Sequence, residues 1–329
     1  MKVSCAFPTT MSSPQDIKIA EEIGYERAWL YDTPQQSPDV WMSLALAAER
    51  TSRIGLGPGV LVPSLRHPMT NAAATATLAG LAPGRVAVSF GTGFTGRRAM
   101  GYRAIPWSYM TAYIDAYCGL LRGEVVTWDG ARMQMLHPDG SAPARPIDVP
   151  ILIGALGPKG RAVAAHHDGV FATTTLEGLD PGVFDWVAYL YWGTVLEPGE
   201  DVSSDRVLAA AGPGGALAHH ATYELYGRDA VPSIPGGAEW LAVIDERPED
   251  ERHLGVHVGH CIHLNEVDRA AWAVTGGTLL PSTTVTGTPD EVKARIDDLG
   301  GKGVTEVVFQ PSGPETRREL EAMFAAASG

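Results

Sequence analysis

Short apolar runs of strand length alternate with longer segments of helical period, and this alternation constrains the fold more than any other feature of the sequence. It is typical of a parallel sheet whose strands are joined by crossover helices. The runs predict strands one to six at 3–7, 27–31, 54–62, 86–90, 149–153 and 169–172, and strand eight at 306–309. Two segments compete to be strand seven, 206–211 and 254–264, and we favour 206–211.

The predicted fold class is α/β, a TIM (β/α)8 barrel with insertions after its strands, mainly between strand six and strand eight. We expect a single barrel domain over residues 1–329, with an insertion-rich region at about 175–286 that covers the barrel mouth. A two-domain, doubly wound enzyme is the structural alternative. A polar stretch with three prolines at 129–148 predicts a surface loop.

Local signals mark the ends of two helices. Ser13 as N-cap, followed by Pro14, begins the first helix, and Gly24 ends it. Thr288 and Glu291 have the spacing of a capping box, and that helix is predicted to stop at 300–301. Other helices are predicted at about 38–51, 71–81, 109–121 and 161–167.

Acidic residues outnumber basic ones by 38 to 25, which gives a formal charge of −13. This charge repels nucleic acid and anionic membranes, so we expect neither as a partner. The three cysteines lie far apart without a C-x-x-C pair, which argues against a disulfide framework or structural zinc and favours a reducing, cytoplasmic location. No apolar stretch reaches ~18 residues and the N-terminus lacks a signal-length run, so we expect neither a membrane span nor export.

The active site of a TIM barrel is built from the loops after its strands, so the residues just beyond each predicted strand are the candidate binding residues. Glycines, hydroxyls and one lysine dominate there, which suits a phosphate held by backbone amides better than a covalent nucleophile. The candidates for cofactor binding are Asp32, Gly59, Val60, Gly91, Thr92, Gly93, Gly154, Ala155, Leu156, Gly157, Pro158, Lys159 and Thr173.

The segment 91–96 has the G-x-G-x-x-G spacing of a dinucleotide-binding turn. A Rossmann unit would carry it after the first strand, with an acidic residue at the end of the next strand, whereas here Asp115 lies in a predicted helix. We therefore rank NAD binding below a plain glycine-rich turn, and both below a flavin-type site in a barrel.

The segment 154–161 opens a helix, so free amides and the positive end of the helix dipole point at whatever lies before it. Lys159 adds a full positive charge, but the segment lacks the G-K-[ST] ending of a nucleotide P-loop. We predict a phosphate cradle, with an ordinary helix cap as the alternative.

Histidines at 253, 257, 260 and 263 form the densest group of titratable side chains. A helix would place His253, His257 and His260 on one face, where they could bind a metal. A strand fits better, because Gly255 and Gly259 disfavour a helix and apolar residues alternate with the histidines. We therefore predict that His253 and His257 face the substrate as catalytic residues without a metal, with buried structural histidines as the alternative.

Several segments, read in order, carry a family resemblance. They are IGYERAWLYD at 23–32, TSRIGLGPGV at 51–60, LRHP at 65–68, FGTG at 90–93, LRGEVVTWDG at 121–130, ALGPK at 155–159, DGV at 168–170 and GTPDEV at 287–292. Together they resemble the bacterial luciferase-like superfamily of flavin and deazaflavin oxidoreductases. Within it they are similar to the coenzyme F420-dependent branch that includes 5,10-methylenetetrahydromethanopterin reductase. The resemblance covers about 1–175 and 285–312.

The resemblance implies a non-prolyl cis peptide between Gly59 and Val60, behind the ring of the coenzyme, and a phosphate loop at Gly157, Pro158 and Lys159. Two positions depart from deazaflavin enzymes of this branch: Phe94 stands where an acidic residue is usual, and Thr33 where several have histidine. The acid–base machinery of those enzymes therefore does not transfer to this chain.

The sequence and the resemblance together predict an oxidoreductase that moves hydride between coenzyme F420, an 8-hydroxy-5-deazaflavin, and a small organic substrate. The preference for F420 rests on the LRHP segment and on Arg97 and Arg98, which could meet the acidic tail of that coenzyme. Two alternatives stay open: a two-component monooxygenase that uses reduced FMN, oxygen and a flavin reductase partner, and a non-catalytic flavin-binding barrel. We also expect a homodimer.

Overall fold

Eight parallel strands surround the centre of the molecule. The structure is a computed structural model that describes residues 1–329. Its strands, with a separate hairpin included in the numbering, are β1 (Lys2–Phe7), β2 (Arg27–Leu30), β3 (Gly55–Pro58), β4 (Val88–Phe90), β5 (Val126–Trp128), β6 (Ala131–Met133), β7 (Ile151–Gly154), β8 (Gly169–Thr173), β9 (Val187–Trp192) and β10 (Glu306–Gln310). The order around the barrel is β3-β2-β1-β10-β9-β8-β7-β4, and all pairs are parallel.

The first and last strands of that order, β3 and β4, also meet. The amide of Leu56 donates to the carbonyl of Arg85 at 2.9 Å, and the amide of Leu61 donates to the carbonyl of Ser89 at 2.7 Å. The sheet thus closes on itself. This confirms the predicted TIM barrel and excludes the doubly wound alternative, whose sheet is open.

Helices surround the barrel and extend from it. They are α1 (Ser13–Ile23), α2 (Val40–Arg50), α3 (Pro68–Leu81), α4 (Phe94–Arg98), α5 (Trp107–Arg122), α6 (Pro158–Ala164), α7 (Asp205–Tyr226), α8 (Gly237–Asp245), α9 (Arg252–His257), α10 (Glu266–Thr275), α11 (Leu280–Thr283), α12 (Pro289–Gly301) and α13 (Thr316–Ser328). Short 3₁₀ turns lie at Pro63–Leu65, Pro181–Val183, Arg228–Ser233 and Glu249–Glu251. None of these helices combines the length and the apolar character that crossing a membrane requires.

Two predicted helix ends can be compared with the structure. Helix α1 begins one residue earlier than predicted, because Ser12 rather than Ser13 occupies the N-cap position. Helix α12 has the predicted capping box, in which Thr288 and Glu291 bond each other's backbone amides. The predicted loop at 129–148 begins with the β5–β6 hairpin, where Gly130 takes a positive φ of 79°.

The seventh barrel strand is β9 (Val187–Trp192), so both predicted candidates for strand seven are wrong. Residues 206–211 lie in α7, where Val207, Ala210 and Ala211 repeat with helical spacing on its buried face. Residues 254–264 contain the end of α9 and a turn in which Gly259 and Cys261 take positive φ angles. The β9 segment is a continuous apolar run, as expected of a strand covered on both faces.

The barrel interior is filled by side chains from most of its strands. The buried cluster there consists of Ala6, Trp29, Ala87, Leu152, Phe171, Ala188, Leu190, Trp192, Cys261 and Val308. Ala87 directly precedes β4, and Cys261 comes from the insertion. Its carbonyl accepts a bond from Gln310 Nε2 at 2.5 Å, and the Gln310 oxygen accepts from Tyr31 and Trp192. The loop at 258–263 is therefore anchored over the carboxyl end of β10.

Helices α7 to α11 form the insertion between β9 and α12. Glycines in α7 allow close packing, since a Cβ on Gly214 would lie 2.4 Å from Trp192 Cβ, and one on Gly215 would lie 2.7 Å from Leu280 Cδ2. Gln36, after β2, donates to the carbonyl of His257 at 2.7 Å. These contacts hold the insertion against the carboxyl ends of the strands.

Candidate active site

Three strand ends converge on the side chain of Val60. The peptide bond between Gly59 and Val60 is cis, as the resemblance implies. A Cβ on Gly91 would lie 2.4 Å from Val60 Cγ2, and one on Gly154 would lie 3.2 Å from Val60 Cγ1. Glycine at 91 is therefore required for Val60 to pack there, and glycine at 154 leaves room for its other methyl group. The structure thus brings four of the predicted binding residues together.

Asp32 is buried rather than open to a ligand. Both of its carboxylate oxygens bond Arg66 Nη1, at 2.7 and 2.6 Å, and Arg66 Nη2 bonds Asp39 at 2.8 Å. Burial raises the pKa of the Asp32 carboxyl above its ordinary value, although the bonds from Arg66 oppose that shift. Asp32 braces the loops after β2 and β3, and its role in cofactor binding stays a prediction.

The glycine-rich segment after β4 forms a tight turn into a single short helix. Gly93 takes φ 88°, and a Cβ there would lie 2.7 Å from Arg97 Cγ. The Thr92 carbonyl accepts from the Ile105 amide at 2.9 Å. Because α4 has only five residues and Asp115 is exposed on α5, this segment does not form a Rossmann unit.

The loop from Gly154 to Lys159 joins β7 to α6, with Gly157 as N-cap and Pro158 in the first turn. Leu156, Gly157, Pro158 and Lys159 are exposed, whereas Ala155 is buried. A Cβ on Gly157 would meet no atom within 4 Å. The Lys159 ammonium takes part in no ion pair, and the first amides of a helix lack intrahelical partners. The loop can therefore receive an anion.

Arg161 fixes the position of that loop. Its Nη2 donates to the carbonyls of Leu156 and Glu177, each at 2.5 Å. The bonds join the segment after β7 to the segment after β8. Sequence reasoning did not identify Arg161 as a site residue, because its two partners are carbonyl groups that only the fold brings together.

Thr173, the last residue of β8, carries a buried hydroxyl without a hydrogen-bond partner. The next residue, Thr174, takes a positive φ of 63°, and its hydroxyl donates to the Thr173 carbonyl at 2.6 Å. Unpaired buried hydroxyls are rare in proteins, and a bound ligand or water is a common explanation. This position is compatible with a polar contact to a cofactor.

His253 and His257 lie on α9, so the predicted strand at this point is wrong. A Cβ on Gly255 would lie 2.6 Å from Arg247 Nε and 3.1 Å from Ile244 Cδ1, so glycine lets these side chains pack closely against α9. His253 is half-buried, whereas His257 is 2% exposed and its Nε2 lies 2.9 Å from Glu224 Oε1. Burial lowers the pKa of His257, an effect that Glu224 partly opposes. No three His, Cys, Asp or Glu side chains are arranged to hold a metal ion.

A chain of hydrogen bonds that sequence reasoning did not find begins in α4. Thr95 Oγ1 lies 3.2 Å from His260 Nε2, His260 Nδ1 lies 2.7 Å from His220 Nδ1, and His220 Nε2 lies 2.8 Å from Asp268 Oδ1. Asp268 also forms a capping box with Asn265. Two sequence signals were available: the histidine group that contains His260, and the spacing of that capping box.

A surface cavity of about 500 Å³ lies at the opposite end of the barrel. It is lined by residues that precede β7 and β8, among them Asp148, His167 and Asp168. TIM-barrel active sites occur at the carboxyl ends of the strands, so this cavity belongs to the stabilising face. The candidate site is the cluster around Val60, the 154–159 loop and Thr173.

Known proteins resemble this chain in sequence. A family model described as luciferase-like monooxygenase matches residues 15–183, about half of the chain. The 5,10-methylenetetrahydromethanopterin reductase of Methanolobus tindarius is 27% identical over 317 residues, 92% of this chain and 91% of that protein. The F420-dependent glucose-6-phosphate dehydrogenase of Beutenbergia cavernae is 31% identical over 209 residues, 58% of each chain.

Solved structures show the same fold. The coenzyme F420-dependent tetrahydromethanopterin reductase of Methanopyrus kandleri superimposes with a TM-score of 0.69 at 20% identity, covering 100% of this chain and 99% of that one. Since the family model, the relatives and the fold agree, the chain is an oxidoreductase that belongs to the luciferase-like monooxygenase family.

Proposed function

We propose that this protein transfers hydride between coenzyme F420 and a small organic substrate at the carboxyl end of the barrel. The observation that carries the proposal is the exposed 154–159 loop, which offers open space above Gly157 and an unpaired ammonium at Lys159. The relatives with F420-dependent names support the choice of coenzyme. The coenzyme supplies the hydride chemistry, and the protein binds and orients it.

The residues that would hold the coenzyme have distinct tasks. Val60, between Gly91 and Gly154, forms an apolar floor for the ring. The 154–159 loop receives the phosphate, with Arg161 holding the loop in position. The unpaired hydroxyl of Thr173 is available for a polar contact with the coenzyme. Asp32, which pairs with Arg66, would contribute to cofactor binding by bracing the loops after β2 and β3.

The arginines that favour F420 at the sequence level have internal partners. Arg97 donates to the Arg103 carbonyl and to Ser64, each at 2.6 Å, while Arg98 pairs with Glu224 at 2.5 Å. Arg66 is held by its two aspartates. The preference for F420 over FMN therefore rests on the relatives with F420-dependent names.

The alternative is a two-component monooxygenase that receives reduced FMN from a flavin reductase and reacts it with oxygen. The match to a luciferase-like monooxygenase model favours this second candidate. Quenching of tryptophan fluorescence, with each coenzyme titrated into the apoprotein, distinguishes the two. We expect tighter binding of F420. Tighter binding of FMN would support the monooxygenase instead.

A non-catalytic flavin-binding barrel is the remaining alternative. Single-turnover oxidation of the bound, reduced coenzyme by any substrate would exclude it.

We further propose a homodimer, for which light scattering should give twice the chain mass of 34.9 kDa. The three unpaired cysteines support a reducing, cytoplasmic location.

A further inference from the structure

A continuous chain of hydrogen bonds connects α4, next to the barrel mouth, with a buried carboxylate in the insertion. It runs from Thr95 through His260 and His220 to Asp268, and the three donor–acceptor distances are 3.2, 2.7 and 2.8 Å. His260, His220 and Asp268 are 8%, 1% and 4% exposed, whereas Thr95 is half-exposed. Thr95 lies in α4, which begins directly after the turn that ends β4 at the carboxyl end of the barrel. The chain therefore links the carboxyl end of the barrel to the protein interior.

The carboxylate fixes the direction of every bond in this chain. Asp268 Oδ1 also accepts a bond from Trp240 Nε1 at 3.0 Å. Burial raises the pKa of Asp268, but the contacts with His220 and Trp240 outweigh this and lower it, so the group is an ionised acceptor. His220 Nε2 must then donate to Asp268, which leaves His220 Nδ1 as an acceptor.

The bond directions at His260 and Thr95 follow from the acceptor at His220. His260 Nδ1 donates to His220 Nδ1, and burial lowers the pKa of His260 well below its ordinary value, so that its Nε2 is a lone-pair acceptor. The Thr95 hydroxyl must therefore donate to His260. With its own proton directed inward, the Thr95 oxygen presents lone pairs to a proton donor at the mouth.

We propose that Thr95 is a catalytic residue that accepts the hydroxyl proton of an alcohol substrate, and that His260, His220 and Asp268 are positioning residues that draw the proton inward. This inference rests on the proposed function, which supplies the oxidised coenzyme as hydride acceptor. The carbon–hydrogen bond of the substrate breaks and its electron pair leaves with that hydrogen to the coenzyme. The hydroxyl proton passes to Thr95, whose own proton passes to His260, and a carbonyl compound forms.

The neighbouring pair of His257 and Glu224 is separate from this chain. It ends at Arg98, whose guanidinium stays protonated. The charged and titratable groups that surround the two imidazoles are Asp268 of α10, His257 of α9, His219 and Glu224 of α7, and Arg98 of α4. Only Asp268 bonds the imidazole chain directly, so its charge should control the proton affinity of the chain.

Two variants test the proposal, with a matched control. Thr95→Val removes the hydroxyl at nearly constant shape, and Thr95→Ser restores it. Thr222→Val removes a hydroxyl that bonds only the Ala218 carbonyl within α7. Coenzyme reduction is followed with propan-2-ol, cyclohexanol and glucose 6-phosphate as probe alcohols. We expect Thr95→Val to slow reduction by about 100-fold or more, Thr95→Ser by less than about tenfold, and Thr222→Val not at all.

Asp268→Asn keeps an oxygen acceptor for His220 and Trp240 but removes the charge. It should lower both the plateau rate and the pH at which half of that rate is reached, because the protonated imidazole loses its counter-charge. A purely structural role would leave that pH unchanged.

In the apoprotein, histidine ¹⁵N NMR should find His260 protonated at Nδ1 and His220 at Nε2.

The outcomes separate this proposal from the proposed function. Failure of both coenzymes to quench fluorescence would overturn the proposed function. If the coenzyme binds, any of three results would overturn only the proton-accepting role of Thr95. They are full activity in Thr95→Val, no oxidation of any probe alcohol by the unmodified protein, and histidine tautomers opposite to those expected.

Discussion

Nothing in the fold itself requires glycine at position 157, where the space beside the backbone is open. Its φ of −105° suits any amino acid, and a Cβ there meets nothing within 4 Å. We expect Gly157→Val to leave the melting temperature unchanged but to weaken coenzyme binding, since the branched side chain would fill the proposed phosphate position. Lys159→Ala should remove a charge-assisted bond of ~1.5–3 kcal/mol, or about tenfold to a hundredfold in affinity.

The measurement for both variants is the coenzyme dissociation constant from fluorescence titration. Gly301→Val is a matched control, because that glycine is exposed, has open space at its Cβ and lies at the end of α12. Its affinity for the coenzyme should equal that of the unmodified protein. Unchanged affinity in both Gly157→Val and Lys159→Ala would place the phosphate elsewhere.

Three histidines in the insertion are buried, and burial favours their neutral form. They lie in α7, in α9 and in the turn after α9. Burial lowers the pKa values of His219, His257 and His260. In the unfolded chain these imidazoles take up protons below pH ~6.5, so their contribution to stability is complete above that pH and is lost as the pH falls. Each buried histidine should add at most about 1.4 kcal/mol per pH unit to the decrease in the free energy of unfolding.

We therefore expect the melting temperature to decrease between pH 7 and pH 5. The lowered pKa values of Asp268 and Glu224 act in a separate window, because stability from carboxylates is lost only below pH ~4. His219→Gln keeps a donor for the Pro235 carbonyl and should flatten the decrease. His166→Gln, at an exposed position, should not. Equal slopes in all three proteins would contradict this account.

The candidate site is shared among β3, β4, β7 and β8, so a ligand there should stabilise the whole barrel. Binding at 100 times the dissociation constant contributes about 2.7 kcal/mol to the free energy of unfolding. We expect F420 to raise the melting temperature by several degrees, and by more than FMN at equal concentration. Gly157→Val should lose most of this shift. A larger shift with FMN would instead support the monooxygenase alternative.

Local patterns in the sequence were enough to locate most of the barrel. Seven strands and the capping box at Thr288 depend on neighbouring residues, since strand and helix periods and cap spacings are short-range signals. The glycine-rich turns after β4 and β7 could also be recognised from the sequence, because their glycines are close neighbours. The family resemblance came from the same local segments and correctly implied the cis bond between Gly59 and Val60.

Tertiary structure decided what those patterns left ambiguous. The apolar face of α7 resembles a short strand in composition, and only its packing against β9 and α11 distinguishes the two. Gly255 disfavours a helix locally, yet it lies in α9, where Arg247 and Ile244 pack too closely for a larger side chain. Thr95 and His260 are 165 positions apart, and His220 and Asp268 are 48 apart. No short-range period encodes such contacts, because the closed barrel and its insertion bring these residues together.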